Sequence, residues 1–334
     1  MVKAIALLSG GLDSILATRL ILDQGIEVEA VNFLTVFCNC TARGETCLAS
    51  SSAATSLGVN LKVFEVTSDY LEIVKAPKHG YGRNLNPCLD CRIFMFKKAG
   101  EYMKETNASF IVTGEVLGER PMSQRMDAMR IIENESGLKG LIVRPLCAKL
   151  MDPTIPEKEG LIDREKLLSI QGRSRKPQIQ LALELGIHDY PCPAGGCLLT
   201  DKGFADRMRD LMKHNPDFTV HDIRLLKIGR HFRLGPGAKL IVGRNEEENN
   251  KLSKLADVND LSFWPTNLKG PLGIGRGVFD KSLLDVSSCI IAKYSDRQQT
   301  NKQVEIRYRR NFATTSGSIV TCPAKVDLLD RLRI

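Results

Sequence analysis

Apolar runs rich in strand-forming residues recur along the first part of the chain, at residues 2–8, 28–34, 60–66, 110–113 and 141–143. Between them lie stretches with helical spacing near residues 14–24, 46–57 and 89–106. Strands that alternate with helices in this way predict an α/β fold, a doubly wound and mostly parallel sheet. Ligands of such sheets lie beyond the carboxyl ends of the strands. Three segments follow a strand there and are expected to meet at one site: the glycine loop at residues 9–14, Thr113-Gly114-Glu115, and Arg144-Pro145. A helical stretch at 176–185 closes the region, and a turn-rich loop at 191–200 follows.

After about residue 203 the texture changes. Two basic strand candidates, 223–234 and 239–244, are joined by Gly235-Pro236-Gly237, and a polar helix follows at 246–256. This predicts a separate C-terminal α+β domain, dividing the chain into residues 1–203 and 204–334. The glycine-rich stretch at 270–277 has a G-x-G-x-G spacing too common to identify a nucleotide loop without a suitable following helix. The pattern shows no internal repeat.

The loop Ser9-Gly10-Gly11-Leu12-Asp13-Ser14 carries the sharpest chemistry. A strand that stops at two glycines lets backbone N–H groups approach an anion closely, and the next helix aims its positive end at the same point. Ser9 and Ser14 add hydroxyl donors, and Asp13 is placed to hold magnesium. The Lys-Ser/Thr pair that ends a Walker A loop is missing, which argues against ordinary γ-phosphate hydrolysis. A plain Ser/Gly turn between strand and helix is the simpler alternative.

Length, 334 residues with 43% hydrophobic content, allows two or three domains with real cores. No run approaches the roughly 18 apolar residues that span a bilayer, so a cytoplasmic protein is expected. Ten cysteines in such a reducing compartment point to metal, redox or packing roles rather than a disulfide framework. The net charge of +8 is uneven: residues 1–203 carry 24 basic and 24 acidic side chains, and the remainder 23 and 15. The excess lies wholly in the C-terminal part, as suits a polyanion partner.

Cys88 and Cys91 form a Pro-Cys-x-x-Cys unit at the mouth of the helix predicted over 89–106, where helix-end N–H groups favour the thiolate. Cys192 and Cys197 lie in a loop framed by proline and glycine. Together these offer three or four soft ligands, for zinc or a saturated cluster if four, or for a [4Fe-4S] cluster with one open iron if three. Cys38, Cys40 and Cys47 have a spacing that matches no metal site and are either auxiliary sulfur carriers or ligands, or plain loop cysteines. Cys147, Cys289 and Cys322 stand alone and are expected to pack.

The hexapeptide at 9–14 resembles the SGGxDS loop of the PP-loop ATP pyrophosphatases. The segment from Gly114 to Gln124 and the strand end Val143-Arg144-Pro145-Leu146 resemble 4-thiouridine synthases (ThiI). Asn86-Pro87-Cys88-x-x-Cys91-Arg92 is similar to tRNA 2-thiouridylases (MnmA), with Gly195-Gly196-Cys197 matching their second cysteine. The C-terminal segment resembles, more weakly, the RNA-binding region of NFACT proteins. The resemblance implies a PP-loop thiolase domain over 1–203 and an RNA-binding domain over 204–334. It implies an ATP-dependent tRNA sulfurtransferase that adenylates a uridine carbonyl oxygen, releases pyrophosphate, and lets sulfur displace AMP.

On that reading Ser9, Gly10, Gly11, Asp13, Ser14 and Gly114 bind ATP, with Mg2+ on Asp13. Cys88, Cys91 and Cys197, or Cys192 in place of Cys197, hold a [4Fe-4S] cluster. In the rival persulfide scheme Cys91 and Cys197 carry the sulfur. The chain shows no room before Ser9 for an N-terminal RNA-binding region and no rhodanese module, so sulfide or a persulfide-carrying protein is expected as donor. Arg120 and Arg144 are candidates to touch tRNA or phosphate. Two alternatives stay open: a PP-loop enzyme that adenylates a small molecule, and a non-catalytic RNA-binding protein with structural zinc.

Overall fold

A computed structural model describes residues 2–38, 48–190, 197–296, 303–311 and 313–334, with Leu48 described in its backbone only. The chain divides into two compact units, Met1–Thr200 and Asp201–Ile334.

The first unit runs β1 (Lys3–Leu7), α1 (Leu12–Leu22), β2 (Glu27–Leu34), α2 (Leu48–Leu57), β3 (Asn60–Glu65), α3 (Thr67–Lys75), α4 (Cys88–Glu105), β4 (Phe110–Thr113), α5 (Met126–Ser136), β5 (Ile142–Val143), α6 (Ile155–Lys158) and α7 (Lys176–Glu184). The sheet order is β3-β2-β1-β4-β5, all parallel, which is the doubly wound arrangement expected. Alternation within β1 sorts the two faces. Ala4 and Ala6 join Leu12, Leu16, Phe110 and Val112 in a core under α1 and α7. Ile5 joins Phe96, Met103, Ile111 and Ile132 under α4 and α5. Burying both faces explains why the strands read as continuous apolar runs. Two helices that the sequence reading passed over, α3 and α5, are amphipathic, and α5 ends on Gly137 in the left-handed region at φ 73°.

The second unit runs α8 (Lys202–His214), α9 (Val220–Leu226), β6 (Arg230–Gly235), β7 (Ala238–Val242), α10 (Glu246–Leu255), β8 (Leu261–Pro265), β9 (Gly273–Gly277), α11 (Lys281–Tyr294), β10 (Val304–Arg310), β11 (Gly317–Thr321) and α12 (Val326–Leu332). Its antiparallel sheet has the order β11-β10-β8-β9-β7-β6. The strand expected over 223–234 is corrected here. Thr219 and Asp222 form a capping box that starts α9, and the strand begins only after the turn at Gly229, at φ 76°. The glycine-rich stretch at 270–277 ends in strand β9, not in a nucleotide loop. Among the described residues no helix is long and apolar enough to cross a membrane.

Candidate functional site

Two groups of side chains gather at the carboxyl edge of the parallel sheet. In the first, Gly10 sits at φ 80°, and a Cβ there would lie 2.4 Å from the Ala49 backbone in the first turn of α2. Gly114, at the end of β4, is equally confined, since its Cβ would lie 2.4 Å from the Asp13 carbonyl carbon and 2.5 Å from the Ser14 nitrogen. No side chain fits at either position without moving backbone. The loop after β4 is thereby packed directly on the glycine loop, as expected of two segments sharing one edge. Ser14 Oγ donates to the Gly11 carbonyl at 2.8 Å and lies 3.3 Å from Ser9 Oγ, so both hydroxyls stand at the mouth of α1.

Asp13 is mostly enclosed, and burial pushes its carboxyl up from the ordinary range although Arg175 and Arg120 pull the other way. Arg175 approaches it at 3.7 Å. Glu119 is pushed up as well, by burial first and then by Asp13. Asp13 Oδ1, Arg175 Nε and both amide atoms of Gln178 are buried without a hydrogen-bond partner in good geometry, although the Gln178 amide stands near enough to the Asp13 carboxylate to favour its charged form, and Gln178 is fully enclosed. Polar atoms left so in a dry setting are costly unless a ligand or cation completes them. The chemistry of this donor set, an orphaned carboxylate oxygen beside glycine N–H groups and two hydroxyls, fits a magnesium nucleotide. Arg175, Gln178 and Glu119 were not found by sequence reasoning, because no motif spacing connects residues 119 and 175–178 to residue 13.

The second group is made of thiols. Cys38 and Cys197 pair as neighbouring extended residues, and Leu198 N donates to the Phe37 carbonyl at 2.9 Å. Leu85 N donates to the Leu199 carbonyl at 3.1 Å and Asn84 Nδ2 to the Thr200 carbonyl at 2.8 Å. These bonds pin the entry of α4, and with it Cys88 and Cys91, against the same segment. The Cys91 thiol feels Cys88 and Cys38, and the Cys197 thiol feels Cys91, Cys38 and Cys88. Cys88, Cys91 and Cys197 are therefore brought together, and Cys38 joins them. Cys192, Cys40 and Cys47 lie outside the described residues.

At Cys91 the expectation of a thiolate at the helix mouth is corrected. All four cysteines are partly exposed, yet surrounding protein desolvates two of them, and burial pushes Cys91 to about 11 and Cys197 to about 12. Desolvation outweighs the helix end. Tyr70 on α3 packs edge-on against Phe37 and is fully buried. Its hydroxyl faces Cys91 without a partner in good hydrogen-bonding geometry. Only the amphipathic spacing of Thr67, Tyr70, Leu71 and Val74 could have flagged it.

Among the described residues no three Cys, His, Asp or Glu side chains stand close enough to share a single metal ion. One zinc ion would draw its sulfurs to about 2.3 Å from a common centre, whereas a polynuclear cluster holds its thiolates farther apart. Soft donors from three separate segments fit the latter.

The two groups are connected. Arg92, next to Cys91, approaches Glu115 Oε1 at 3.4 Å, and Glu115 follows Gly114. Arg144 is corrected from a candidate tRNA or phosphate contact to a buried structural residue. It is 2% exposed, donates to Glu115 Oε2 at 3.0 Å, and pairs with Glu133. Cys147 is buried under the Glu115 carbonyl as a packing residue. Cys289 is partly buried, but Cys322 is exposed, because it lies just past edge strand β11. A cavity of about 600 Å3, lined among others by Arg130, Glu133, Asp152 and Glu157, includes Arg144 but none of the residues expected to hold nucleotide or cluster.

Comparison with known proteins agrees with the resemblance read from the sequence. Residues 1–154 match the family model for thiamine biosynthesis protein (ThiI), and residues 229–332 match that for the NFACT protein RNA binding domain. A probable tRNA sulfurtransferase of Ureaplasma parvum is 29% identical over 175 residues, 51% of this chain and 40% of that protein. The tRNA-specific 2-thiouridylase MnmA of Marinobacter nauticus is 26% identical over 233 residues, 64% of this chain and 55% of its own. The chain thus spans about half the length, or less, of these curated relatives. Among solved structures, the U34-tRNA thiolase NcsA of Methanococcus maripaludis with its [4Fe-4S] cluster aligns at 17% identity and TM-score 0.32, covering 68% of this chain and 70% of that one.

Proposed function

We propose, from a ThiI-type segment joined to an NFACT-type RNA-binding segment, that the protein is an ATP-dependent tRNA uridine sulfurtransferase acting in the cytoplasm. The observation that carries this reading is the loop after β4. It touches the Asp13–Ser14 backbone at Gly114 and the neighbour of Cys91 at Glu115. A phosphate cradle and a set of soft thiols are thereby tied to one short segment.

In the proposed reaction a uridine carbonyl oxygen attacks the α-phosphorus of ATP. Pyrophosphate leaves into the cradle, where Gly10 and Gly11 N–H groups and the Ser9 and Ser14 hydroxyls stabilise its growing charge. Asp13, with one carboxylate oxygen unpartnered, would hold the magnesium ion. Adenylation turns a poor leaving oxygen into AMP, which sulfur then displaces. Cys88, Cys91 and Cys197, with Cys38 beside them, would hold a [4Fe-4S] cluster, which when bound offers an open iron to sulfide. The Cys91 and Cys197 thiols are buried and protonated when unligated, so loading them releases protons. Residues 204–334 would bind the tRNA, and sulfide or a persulfide-carrying protein would supply sulfur.

Anaerobically reconstituted protein, given tRNA, ATP and sulfide, should release AMP and yield thiouridine by nucleoside mass spectrometry. Cys91→Ala should lose thiolation by about 100-fold or more while retaining tRNA-dependent pyrophosphate release, the product of the adenylation step, and Asp13→Ala should lose both. Stoichiometric zinc without iron, and no AMP formed with tRNA present, would overturn the reading.

A further inference from the structure

Among the described residues, the sheet of the second unit is only half covered on one of its faces. One face is buried along its length: Phe232, Leu240, Val242, Phe263, Val304 and Ile306 pack with Ile290 and Ile291 of α11 and Leu329 of α12. On the other face, Ile241 and Ile274 pack with Leu225 of α9 and Leu252 of α10. That cover lies over β7 and β9. The register carries the same face on through Ser262, which pairs with Ile274 and with Arg309, and through Trp264, which pairs with Arg307. Arg307 in turn pairs with Ser318 and Glu305 with Val320 on β11.

The side chains on this β8-β10-β11 end are exposed or half-exposed. Arg307, Arg309 and Ser318 are exposed, Trp264 is half-buried, and Val320 is 60% exposed. The two halves of the face treat charge differently. Arg276, on the covered half, is tied to Asp222, Asp257 and Asp260. Arg307 and Arg309 have no carboxylate ion-pair partner among the described residues, and the Arg309 guanidinium stands 5.8 Å from the centre of the Trp264 ring. The acidic neighbour on the same face, Glu305, is engaged by Thr266 Oγ1 at 2.9 Å.

A flat aromatic ring beside two unneutralised cations is the combination that binds unpaired nucleotides: the ring stacks on a base and the cations take phosphates. A duplex hides its base faces and offers only its backbone. Arg307 and Arg309 are two residues apart, about 7 Å along the strand, so they can meet successive phosphates of an extended chain. We infer that the bare end of this sheet face, Trp264 with Arg307 and Arg309, is a stacking platform for single-stranded RNA, such as a loop or an unpaired end of the substrate. The inference rests on the reading of RNA as partner and adds which surface meets it and in which form.

Trp264 is the only tryptophan in the chain, so its emission reports on the platform directly. The full-length protein is titrated with oligouridylate, with a blunt RNA duplex of equal length, and with bulk tRNA. Oligouridylate and tRNA should quench the emission and the duplex should leave it unchanged. Trp264→Ala should weaken oligouridylate binding on the order of 10-fold, and Trp264→Phe, which keeps a stacking ring and the packing, should keep most of it. The double variant Arg307→Ala/Arg309→Ala should reduce the slope of log K against log salt by about 1.4. RNA binding with unmoved emission and an unaffected Trp264→Ala variant would overturn the platform yet leave RNA as partner. Quenching by the duplex equal to that by the single strand would overturn the preference for unpaired bases. No binding of either tRNA or oligouridylate would overturn both the platform and the reading beneath it.

Discussion

The two units use their sheets in opposite ways. In the first, a core lies on each face of a parallel sheet, and the candidate cradle and thiols among the described residues gather at the carboxyl edge, in loops that press on one another. In the second, the candidate surface is a face of an antiparallel sheet, made of side chains that stand clear of the backbone. An edge site of this kind is built from backbone contacts and tolerates little; a face site is built from projecting groups and tolerates much. The difference also appears in charge. The edge is crowded with buried groups whose titration is disturbed, such as Asp13, Cys91 and Cys197, while Arg307 and Arg309 on the face stand in solvent.

The largest break in that contrast is a single added carbon. Gly114→Ala places a Cβ 2.4 Å from the Asp13 backbone, where nothing flexible can give way. It should destabilise the first unit by about 3 kcal/mol or more, whereas Ser318→Ala on the exposed face should change the second by less than about 0.5 kcal/mol. The two units can be read separately in one denaturant titration. Thiol labelling of buried Cys147 follows the first, and Trp264 emission follows the second. Equal effects of the two substitutions would dissolve the distinction between edge and face.

Alkaline pH should separate the units next. Cys91, Cys147 and Cys197 are raised by burial to about 11, 11 and 12 from an ordinary 9.0. In unligated protein the unfolded chain releases these protons first, so their contribution is full below pH 9 and is lost as pH rises through the folded values. Lys239 moves the other way. Burial lowers it from 10.5 to about 8, against the pull of Asp210. Between those values only the unfolded chain holds the proton, so the second unit should gain stability as pH climbs from 8 to 10.5, by up to about 3 kcal/mol. Unfolding midpoints at pH 8 and pH 10 should therefore shift in opposite directions, and a parallel fall would show that burial of Lys239 carries no such cost.

The smallest effect sharpens the account of the edge itself. The Arg175–Asp13 pair is 3.7 Å long, with both side chains partly exposed, so Arg175→Ala should cost less than about 1 kcal/mol of stability. A midpoint shift larger than that, in the same thiol-labelling titration, would make Arg175 a structural support of the loop rather than a charge beside its ligand site.

The sequence made the first unit legible because burial on both faces turns the central strands, β4 above all, into apolar runs, while the edge strand β3 stays exposed. It made Ser9–Ser14 legible because strand, glycines and helix follow within a few residues. The rest depended on distances that no local pattern records. Cys38 was one loop cysteine among several until the contact with Cys197 placed it beside Cys91. Tyr70, Arg175 and Gln178 have no motif spacing, and they reach the site only through the packing of α3 and α7. Arg144 looked like a ligand contact because it follows a strand, but Glu115 and Glu133 absorb it. In the second unit the capping box at Thr219 and Asp222 overrides an apolar pattern that by itself predicts strand.

The pairing of Cys38 with Cys197 also bears on the order of assembly. The cradle at residues 9–14 is shaped by the Ser14 hydroxyl on the Gly11 carbonyl and by close packing against Ala49 and Gly114, all segments made before residue 197. The thiol site closes only when segments near residues 38, 88 and 197 have found one another, and contacts between such distant segments require the most loop closure and form late. A newly made chain is therefore expected to hold phosphate before it can shelter its sulfurs, and to be most open to oxidation in that interval.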